Sequence, residues 1–241
     1  ARELTQLQST LQNQIEKHGS HIFKEGAVVI PGAVSFNNQY YSLKLASTFA
    51  SETVDPSQYF NATTPVTITG ATTGVTAVVV GFDAATTTDQ PTLYLRYLST
   101  GTDNVTRVFS DGENISANAG ITHTTSYSSG IASATTYTSL FSASSGSSAA
   151  NLAGSTGPAS RQGSAVHIEA GVYYVRGFFV TCSEETLVLD KYSNKPSYRV
   201  GFTITESLVT PESDTTLLDN ATGSSNFAAK GAHRLKISLA L

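Results

Sequence analysis

The histidines are the residues whose chemistry is widest, because they can bind metals and transfer protons near neutral pH. His18 and His21 lie three residues apart in "KHGSH", a spacing at which two ring nitrogens could share a metal on one face of a helix. Closed metal sites need three or four ligands, and no third histidine follows closely. His123, His167 and His233 have no acidic residue directly beside them in the sequence. We therefore predict no metal site.

Nucleophilic and acid–base catalysis are equally poorly supported. Serine is abundant, but no Gly-x-Ser-x-Gly elbow occurs between a strand and a helix. Two close carboxylate pairs could serve glycosidic chemistry, namely Glu184–Glu185 and Asp111/Glu113. Neighbouring residues of a strand point to opposite faces, and "SDGEN" has the composition of an ordinary turn. We predict no catalytic residues and no enzymatic activity.

Ligand-binding motifs are also missing. "GATTG" and "GSTG" are followed by neither Gly-Lys-Ser/Thr nor a helix, so no phosphate loop and no cofactor site are predicted. Four asparagines match the N-glycosylation tripeptide, which chance explains in a chain so rich in Thr and Ser: Asn61, Asn104, Asn114 and Asn220. Tyr127 and Tyr137 could stack on sugars, but no motif around them defines a carbohydrate site.

The composition narrows the class of protein. Only 13% of the 241 residues are charged, about half the usual fraction, and this favours hydroxyl-rich β structure of a secreted, surface or virion protein. The 14 Lys and Arg residues are scattered within a net charge of −4, so no nucleic-acid partner is expected. No apolar run is long enough to span a membrane, so membrane insertion is not expected. Cys182 is the only cysteine, which excludes an intrachain disulfide.

The N-terminal residues predict the one convincing helix, at residues 1–18. Leu4, Leu7, Leu11 and Ile15 recur at spacings of three and four, and Gly19 is expected to end the helix. The apolar stripe is narrow, as in a coiled-coil seam. We expect this stripe to pack against other chains, the alternative being its own domain.

After the helix the hydrophobic period changes to two, which predicts a mainly β protein. We expect an antiparallel β sandwich or barrel from residues 19–62 and 163–241. A small β domain is expected as an insertion at 63–116, with strands in "PVTITG", "TAVVVGFD", "PTLYLRYLST" and "VTRVFS". Residues 117–162 form a low-complexity Ser/Thr/Ala/Gly segment, interpreted as an arm that lies on a neighbouring subunit.

The last third has the clearest strand pattern. "SAVHIEAGVYYVRGFFVTCS" predicts a long or bent strand pair with bends at Gly171 and Gly177, and "EETLVLD" a further strand. "SYRVGFTITES" predicts a strand with four inward residues, Tyr198, Val200, Phe202 and Ile204. Residues 220–231 are interpreted as a close-packed turn that sets the register of a final strand at 233–241.

Several phrases resemble one family. "HIFKEGAVVIPG", "GVYYVRGFFV" and the run "LVLDKYSNKPSYRVGFTITES" through "GAHRLKISLAL" resemble an uncharacterised domain family of long virion structural proteins in tailed phages with contractile tails. Residues 18–45 and 165–241 carry the resemblance. Lys230 departs from it, because a proline is expected before Gly231.

This resemblance implies a function without bringing catalytic residues. We expect a virion structural protein of the phage tail, at the baseplate or the base of a tail fibre, acting as a homo-oligomer, with a trimer favoured. Its expected partners are other tail and baseplate proteins. The alternative is a receptor-binding module for a host-surface glycan, and a tail-spike depolymerase is a third, weaker interpretation.

Overall fold

A computed structural model describes residues 2–49, 52–117, 140–142 and 157–241 of the chain. The described residues confirm the predicted fold class, because they are mainly β, with antiparallel sheets and one N-terminal helix. No closed barrel occurs among them, so the described sheets are open. Most of the predicted arm at 117–162 lies outside the described residues.

The helices and strands follow one another along the chain. The helix α1 spans Arg2–Ile22, and short 3-10 helices cover Pro56–Tyr59 and Thr215–Leu217. The strands are β1 (Val28–Ile30), β2 (Val34–Lys44), β3 (Thr48–Phe49), β4 (Glu52–Thr53), β5 (Thr67–Gly70), β6 (Thr76–Asp83), β7 (Thr92–Ser99), β8 (Asn114–Ala117), β9 (Leu140–Ser142), β10 (Ser160–Ile168), β11 (Gly171–Val175), β12 (Phe178–Cys182), β13 (Glu185–Asp190), β14 (Thr203–Val209) and β15 (Arg234–Ala240).

The chain folds into two compact units, each built from separate stretches of sequence. Unit 1 comprises residues 1–35, 166–187 and 198–241, and unit 2 comprises residues 36–165 and 188–197. The predicted insertion at 63–116 lies within unit 2. Its strands β5 to β8 share one sheet with β2 and β10.

Unit 2 is organised around an eight-stranded sheet of order β13-β10-β2-β7-β6-β5-β8-β9. Its core includes alternate residues of β2, β5, β6, β7 and β8, as the period of two predicts, together with residues beside these strands. The fully buried members are Leu43, Ile68, Ala77, Leu93 and Ile115 on the strands, and Leu45, Val75 and Ala159 outside them. Burial of these side chains is the main favourable contribution to the stability of this unit.

Unit 1 contains two small antiparallel sheets around a second core. One has the order β1-β11-β12, and the other is the hairpin β14–β15. Arg176 and Gly177 connect β11 to β12 with φ of 51° and 83°, the two positive values that a two-residue type I′ turn requires. The hairpin contributes Phe202, Ile204, Ile237 and Leu239 to a cluster centred on Tyr173, Val175, Val180 and Cys182.

The predicted end of the helix was wrong, because α1 continues through Gly19 to Ile22. Gly19 is buried against the ring of Tyr174, and a Cβ at this position would lie 2.6 Å from the Tyr174 ring. The glycine is therefore explained by close packing of the helix, and not by helix termination.

Two of the predicted strands were also wrong. "VTRVFS" (105–110) forms no strand, because the amide groups of Val105 and Thr106 donate to the Asp103 side chain and not to a neighbouring strand. The strand predicted from Ser197 begins only at Thr203, and Tyr198 is exposed. In the second case, the alternation of apolar residues begins before Thr203, whereas pairing with β15 begins only at Thr203.

Candidate functional site

One face of α1 attaches the helix to unit 1. The Tyr174 hydroxyl donates to the carbonyl oxygen of Glu16 at 2.9 Å, and the Gln12 amide nitrogen lies 3.5 Å from the Gly177 carbonyl oxygen. Gly19 packs on Tyr174, whose ring lies 5.8 Å from that of Phe23. Gln12, Glu16 and Gly19 recur every three or four residues, so they lie on one face of the helix, and Phe23 follows directly after the end of the helix.

The apolar stripe of α1 lies on a different face. Leu7, Leu11, Ile15 and Ile22 are 64%, 55%, 40% and 60% exposed. At 100° per residue, the centre of this stripe is about a quarter-turn away from the face that contacts Tyr174. The stripe is therefore not what attaches the helix to its own domain, and four large apolar side chains are presented to solvent.

The N-terminal part of this stripe, around Leu7 and Leu11, has no charged neighbours between residues 5 and 15. From Thr5 to Ile15 the helix sequence is "TQLQSTLQNQI", which contains no Asp, Glu, Lys or Arg. Like charges that meet across an interface between identical helices oppose association. That penalty is absent along this part of the stripe.

The C-terminal loop and hairpin present a second exposed surface. Leu208 and Leu235 are direct partners across β14 and β15, and both are exposed. Residues 219–236 are exposed throughout, including the aromatic ring of Phe227. A single chain therefore leaves much of this apolar surface uncovered.

The predicted turn at 220–231 is held mainly by backbone hydrogen bonds. The Ala228 amide donates to the Asp219 carbonyl oxygen, and the Gly231 amide to the Leu217 carbonyl oxygen at 2.8 Å. Close packing is found at Gly231, where a Cβ would lie 2.4 Å from that same Leu217 oxygen. The ammonium of Lys230 contacts Glu212 at 2.6 Å.

The structure does not gather the predicted candidates into a metal site. His18 and His21 both lie on α1, since the helix does not end between them, and both are exposed. His233 is exposed, and His123 lies outside the described residues. Among the described residues no group of three or more His, Cys, Asp or Glu side chains could hold a metal ion.

His167 has an acidic partner that sequence proximity missed. Its Nδ1 lies 2.9 Å from the Thr186 hydroxyl, and its Nε2 lies 3.8 Å from Glu184 Oε1. The order hydroxyl–imidazole–carboxylate is that of a catalytic triad. However, Thr186 and Glu184 are exposed side chains, whereas the carboxylate of a catalytic triad is buried. We interpret the group as a surface hydrogen-bond chain.

The carboxylate pairs are occupied by structural contacts. Glu113 is buried and accepts hydrogen bonds from the amides of Thr72, Thr73 and Ser110. Asp111 accepts from the Ala159 amide at 2.7 Å. Glu185 accepts from the Leu241 amide at 2.9 Å, whereas Glu184 lies beside His167. Each of the four carboxylates therefore has a structural contact, with backbone amides or with the His167 side chain.

The remaining sequence candidates are dispersed. Asn61, Asn104 and Asn220 lie in loops, and Asn114 begins β8, where it pairs with Ser142. Tyr127 and Tyr137 are outside the described residues. Among the described helices none is long and apolar enough to cross a membrane.

An ion-pair cluster in unit 2 joins residues far apart in sequence. Lys191 Nζ lies 2.7 Å from Asp83 and 3.0 Å from Asp89. The hydroxyls of Tyr94 and Tyr192 donate to Asp83 and Asp89, both at 2.6 Å. Burial opposes the charge on Lys191, but the hydrogen bonds to both carboxylates outweigh it and raise the pKa of Lys191. The cluster therefore keeps its ammonium charged and holds residues 188–197 on β6 and the loop before β7.

A groove lies where β2 and β7 part. The ladder between these strands ends at the pair Tyr41–Leu95, while β7 continues to Ser99. The groove has a volume of about 390 Å³. It is lined by Gln39, Tyr41, Arg96, Tyr97, Ser99 and Arg107, together with two neighbouring residues. Among the described residues neither Arg96 nor Arg107 forms an ion pair.

Comparison with known proteins gives one family. Residues 132–241 match the family described as Domain of unknown function (DUF4815). The matched region includes residues 165–241 but not residues 18–45. No curated protein and no solved structure was found to match the chain.

Proposed function

We propose that this chain is a structural protein of a tailed-phage virion, placed in the tail at the baseplate or the base of a tail fibre. In this proposal it acts as a homo-oligomer, with a trimer favoured, and contacts other tail proteins. The phrases in residues 18–45 and 165–241 support the virion assignment. The exposed stripe of α1 carries the assembly part of the proposal.

The geometry and the charge of α1 favour a second copy of this chain as the partner of its exposed stripe. The helix already has an attachment to its own unit through Glu16, Gly19 and Tyr174, so Leu7, Leu11 and Ile15 are left for another chain. Identical uncharged stripes can meet in parallel without repulsion, as in coiled coils. A short seam is a weak contact by itself, so the exposed surface around Leu208 and Leu235 is expected to add buried area.

Mass measurement of the full chain tests the assembly. We expect light scattering after size exclusion to give about three times the 25.3 kDa of one chain. Substitution of Leu7, Leu11 and Ile15 by Gln should yield monomers, because the seam loses its apolar side chains. The matched control is Val105→Gln with Val108→Gln, which removes exposed apolar residues from unit 2 and should leave the mass unchanged. A wild-type monomer at all concentrations would contradict the oligomer.

The virion assignment needs a separate measurement. Antibodies against this chain, labelled with gold, should decorate the tails of particles of the phage that encodes it in electron micrographs. Particles without label, while the chain is found free in the lysate, would contradict a structural role in the tail whatever the oligomeric state.

A further inference from the structure

The groove between β2 and β7 combines positive charge with a polar and aromatic lining. Arg96 and Arg107 are exposed, and among the described residues no carboxylate pairs with either. Two arginines that line one groove concentrate positive charge there, on a chain whose net charge is −4. A guanidinium presents a planar fork of donors that matches a carboxylate.

The loop that carries Arg107 is held at both ends. On one side, Asp103 accepts from the amides of Val105 and Thr106, both at 2.9 Å, and from the Thr106 hydroxyl at 2.6 Å. On the other side, the Phe109 amide donates to the Tyr97 hydroxyl at 3.3 Å, and Phe109 is buried. Arg107 therefore starts from a fixed backbone, which lowers the entropy cost of binding a ligand.

The aromatic wall of the groove is fixed as well. Tyr41 and Tyr97 form an edge-to-face pair with ring centroids 5.0 Å apart, and the Tyr97 hydroxyl lies 2.6 Å from the Ser160 hydroxyl. Burial raises the pKa of Tyr97 to about 12, so its phenol stays neutral near pH 7 and does not repel an anion.

The remaining lining selects among carboxylate-bearing ligands. Gln39 supplies an amide, Ser99 and Thr100 supply hydroxyls, and the one aliphatic side chain is Leu98. A peptide held in a groove normally needs apolar pockets for its side chains. An amide, hydroxyls and tyrosine rings are instead suited to the hydroxyl groups and flat faces of sugar rings.

We propose that this groove binds a carboxylate-bearing saccharide, with Arg96 and Arg107 on the carboxylate and Gln39 and the tyrosines on the sugar rings. The proposal goes beyond assembly and gives a place in the fold to the glycan-binding alternative expected from the sequence. All groove residues belong to unit 2, so binding does not depend on the α1 stripe.

Calorimetry with the full chain tests this groove, with three probes of matched length: oligogalacturonate, a neutral maltooligosaccharide and oligoglutamate. We expect oligogalacturonate to bind and the other two to bind at least tenfold more weakly. Arg96→Gln and Arg107→Gln should each weaken binding about tenfold, which corresponds to about 1.4 kcal/mol for each arginine. Amide NMR spectra verify that the variants are folded.

The controls separate this proposal from general charge effects and from assembly. Lys24→Gln with Arg199→Gln removes two exposed positive charges from unit 1 and should leave the affinity unchanged. The variant with Gln at positions 7, 11 and 15 should also bind normally, whether or not it is a monomer. Lack of binding to oligogalacturonate at millimolar concentration, or equal binding by the double Arg96→Gln/Arg107→Gln variant, would overturn the proposal. Equal binding of oligoglutamate would overturn its saccharide specificity.

Discussion

Gly231 shows how one small residue directs a loop. Its amide donates to the Leu217 carbonyl oxygen at 2.8 Å, so the two backbones run in contact where the loop 219–231 closes. An added Cβ would lie 2.4 Å from that oxygen, and a backbone atom cannot move aside as a flexible side chain can. The requirement for glycine here is therefore one of space.

Gly231→Ala should destabilise the chain by about 1–3 kcal/mol, because an overpacked contact forces the backbone to shift. Urea unfolding followed by circular dichroism measures the change. Gly201→Ala is the matched control, since no atom lies within 4 Å of the added Cβ, and it should cost nothing measurable. Equal stability of the two variants would show that the loop at Gly231 adapts freely.

Asp103 organises the turn before Arg107 through its charge. Hydrogen bonds from the Thr106 hydroxyl and from the amides of Val105 and Thr106 lower the pKa of Asp103 from 3.8 to about 2. A carboxyl whose pKa is lowered by folding stabilises the fold above its unfolded pKa, and this contribution is lost as the pH falls through the folded value. The relevant window is therefore between about pH 4 and pH 2.

A titration by NMR should show the loss of this turn. The amide signals of Val105 and Thr106 are expected to move with a midpoint near pH 2, because protonation removes the acceptor charge. Asp103→Asn should abolish that transition, while the amide signal of Thr63, which donates to the neutral side chain of Asn61, should show no such transition in either protein. A midpoint near 4 at Thr106 would mean that these hydrogen bonds do not favour the charged form.

At the scale of elements, ion pairs attach the segment 188–197 to β6 and to the loop before β7, in addition to the pairing of β13 with β10. Lys191 lies between Asp83, at the end of β6, and Asp89, in the loop before β7. Arg161 of β10 lies over the Tyr192 ring at 4.6 Å from its centroid. Removal of the ammonium would leave two carboxylates close together and partly buried.

Lys191→Met should therefore cost about 1–3 kcal/mol, between the effects known for exposed and buried ion pairs. Chemical denaturation gives the change in free energy of unfolding. Lys195→Met, four residues further along, removes the same charge from an exposed position and should change stability by less than about 0.5 kcal/mol. An equal small effect of both variants would show that the cluster adds nothing to stability.

The helix α1 was predicted correctly as a helix, but its C-terminal end was not. Its apolar spacing predicted a helix and a seam, and it also suggested that Gly19 ends the helix. The structure confirms the helix but places its end at Ile22. Gly19 lies inside the helix because the ring of Tyr174 leaves no room for a side chain at that position. Helix propensity disfavours glycine by about 1 kcal/mol, and tertiary packing overrides this preference here.

At the scale of the whole molecule, the exposed large apolar side chains are unevenly distributed between the two units. Each unit has its own buried cluster, yet Leu7, Leu11, Phe179, Leu208, Phe227 and Leu235 are all exposed. All six belong to unit 1, which holds twelve of the sixteen exposed large apolar residues among the described ones, whereas unit 2 holds four. This distribution is the reason that the proposed assembly is placed on unit 1 and the proposed saccharide groove on unit 2. The mass and calorimetry experiments can therefore fail independently.

The sequence by itself determined the fold class and most of the elements. Periods of 3.6 and 2 identified α1 and strands such as β6, β7 and β13, because a periodic pattern reports which face of an element must be covered. It also determined that no disulfide can form within the chain, since Cys182 has no partner cysteine. These are local properties of the chain, and they need no knowledge of neighbours in space.

Only the tertiary structure decided which residues meet. His167 and Glu184, Lys191 and Asp83, and Arg96, Arg107 and Gln39 are separated by between 11 and 108 residues in sequence, and no local pattern brings them together. The direction in which the α1 stripe faces depends on the contact between Gly19 and Tyr174. The residues "VTRVFS" form no strand because the Thr106 amide donates to Asp103. Contacts of this kind follow from packing, which a periodic sequence pattern constrains but does not specify.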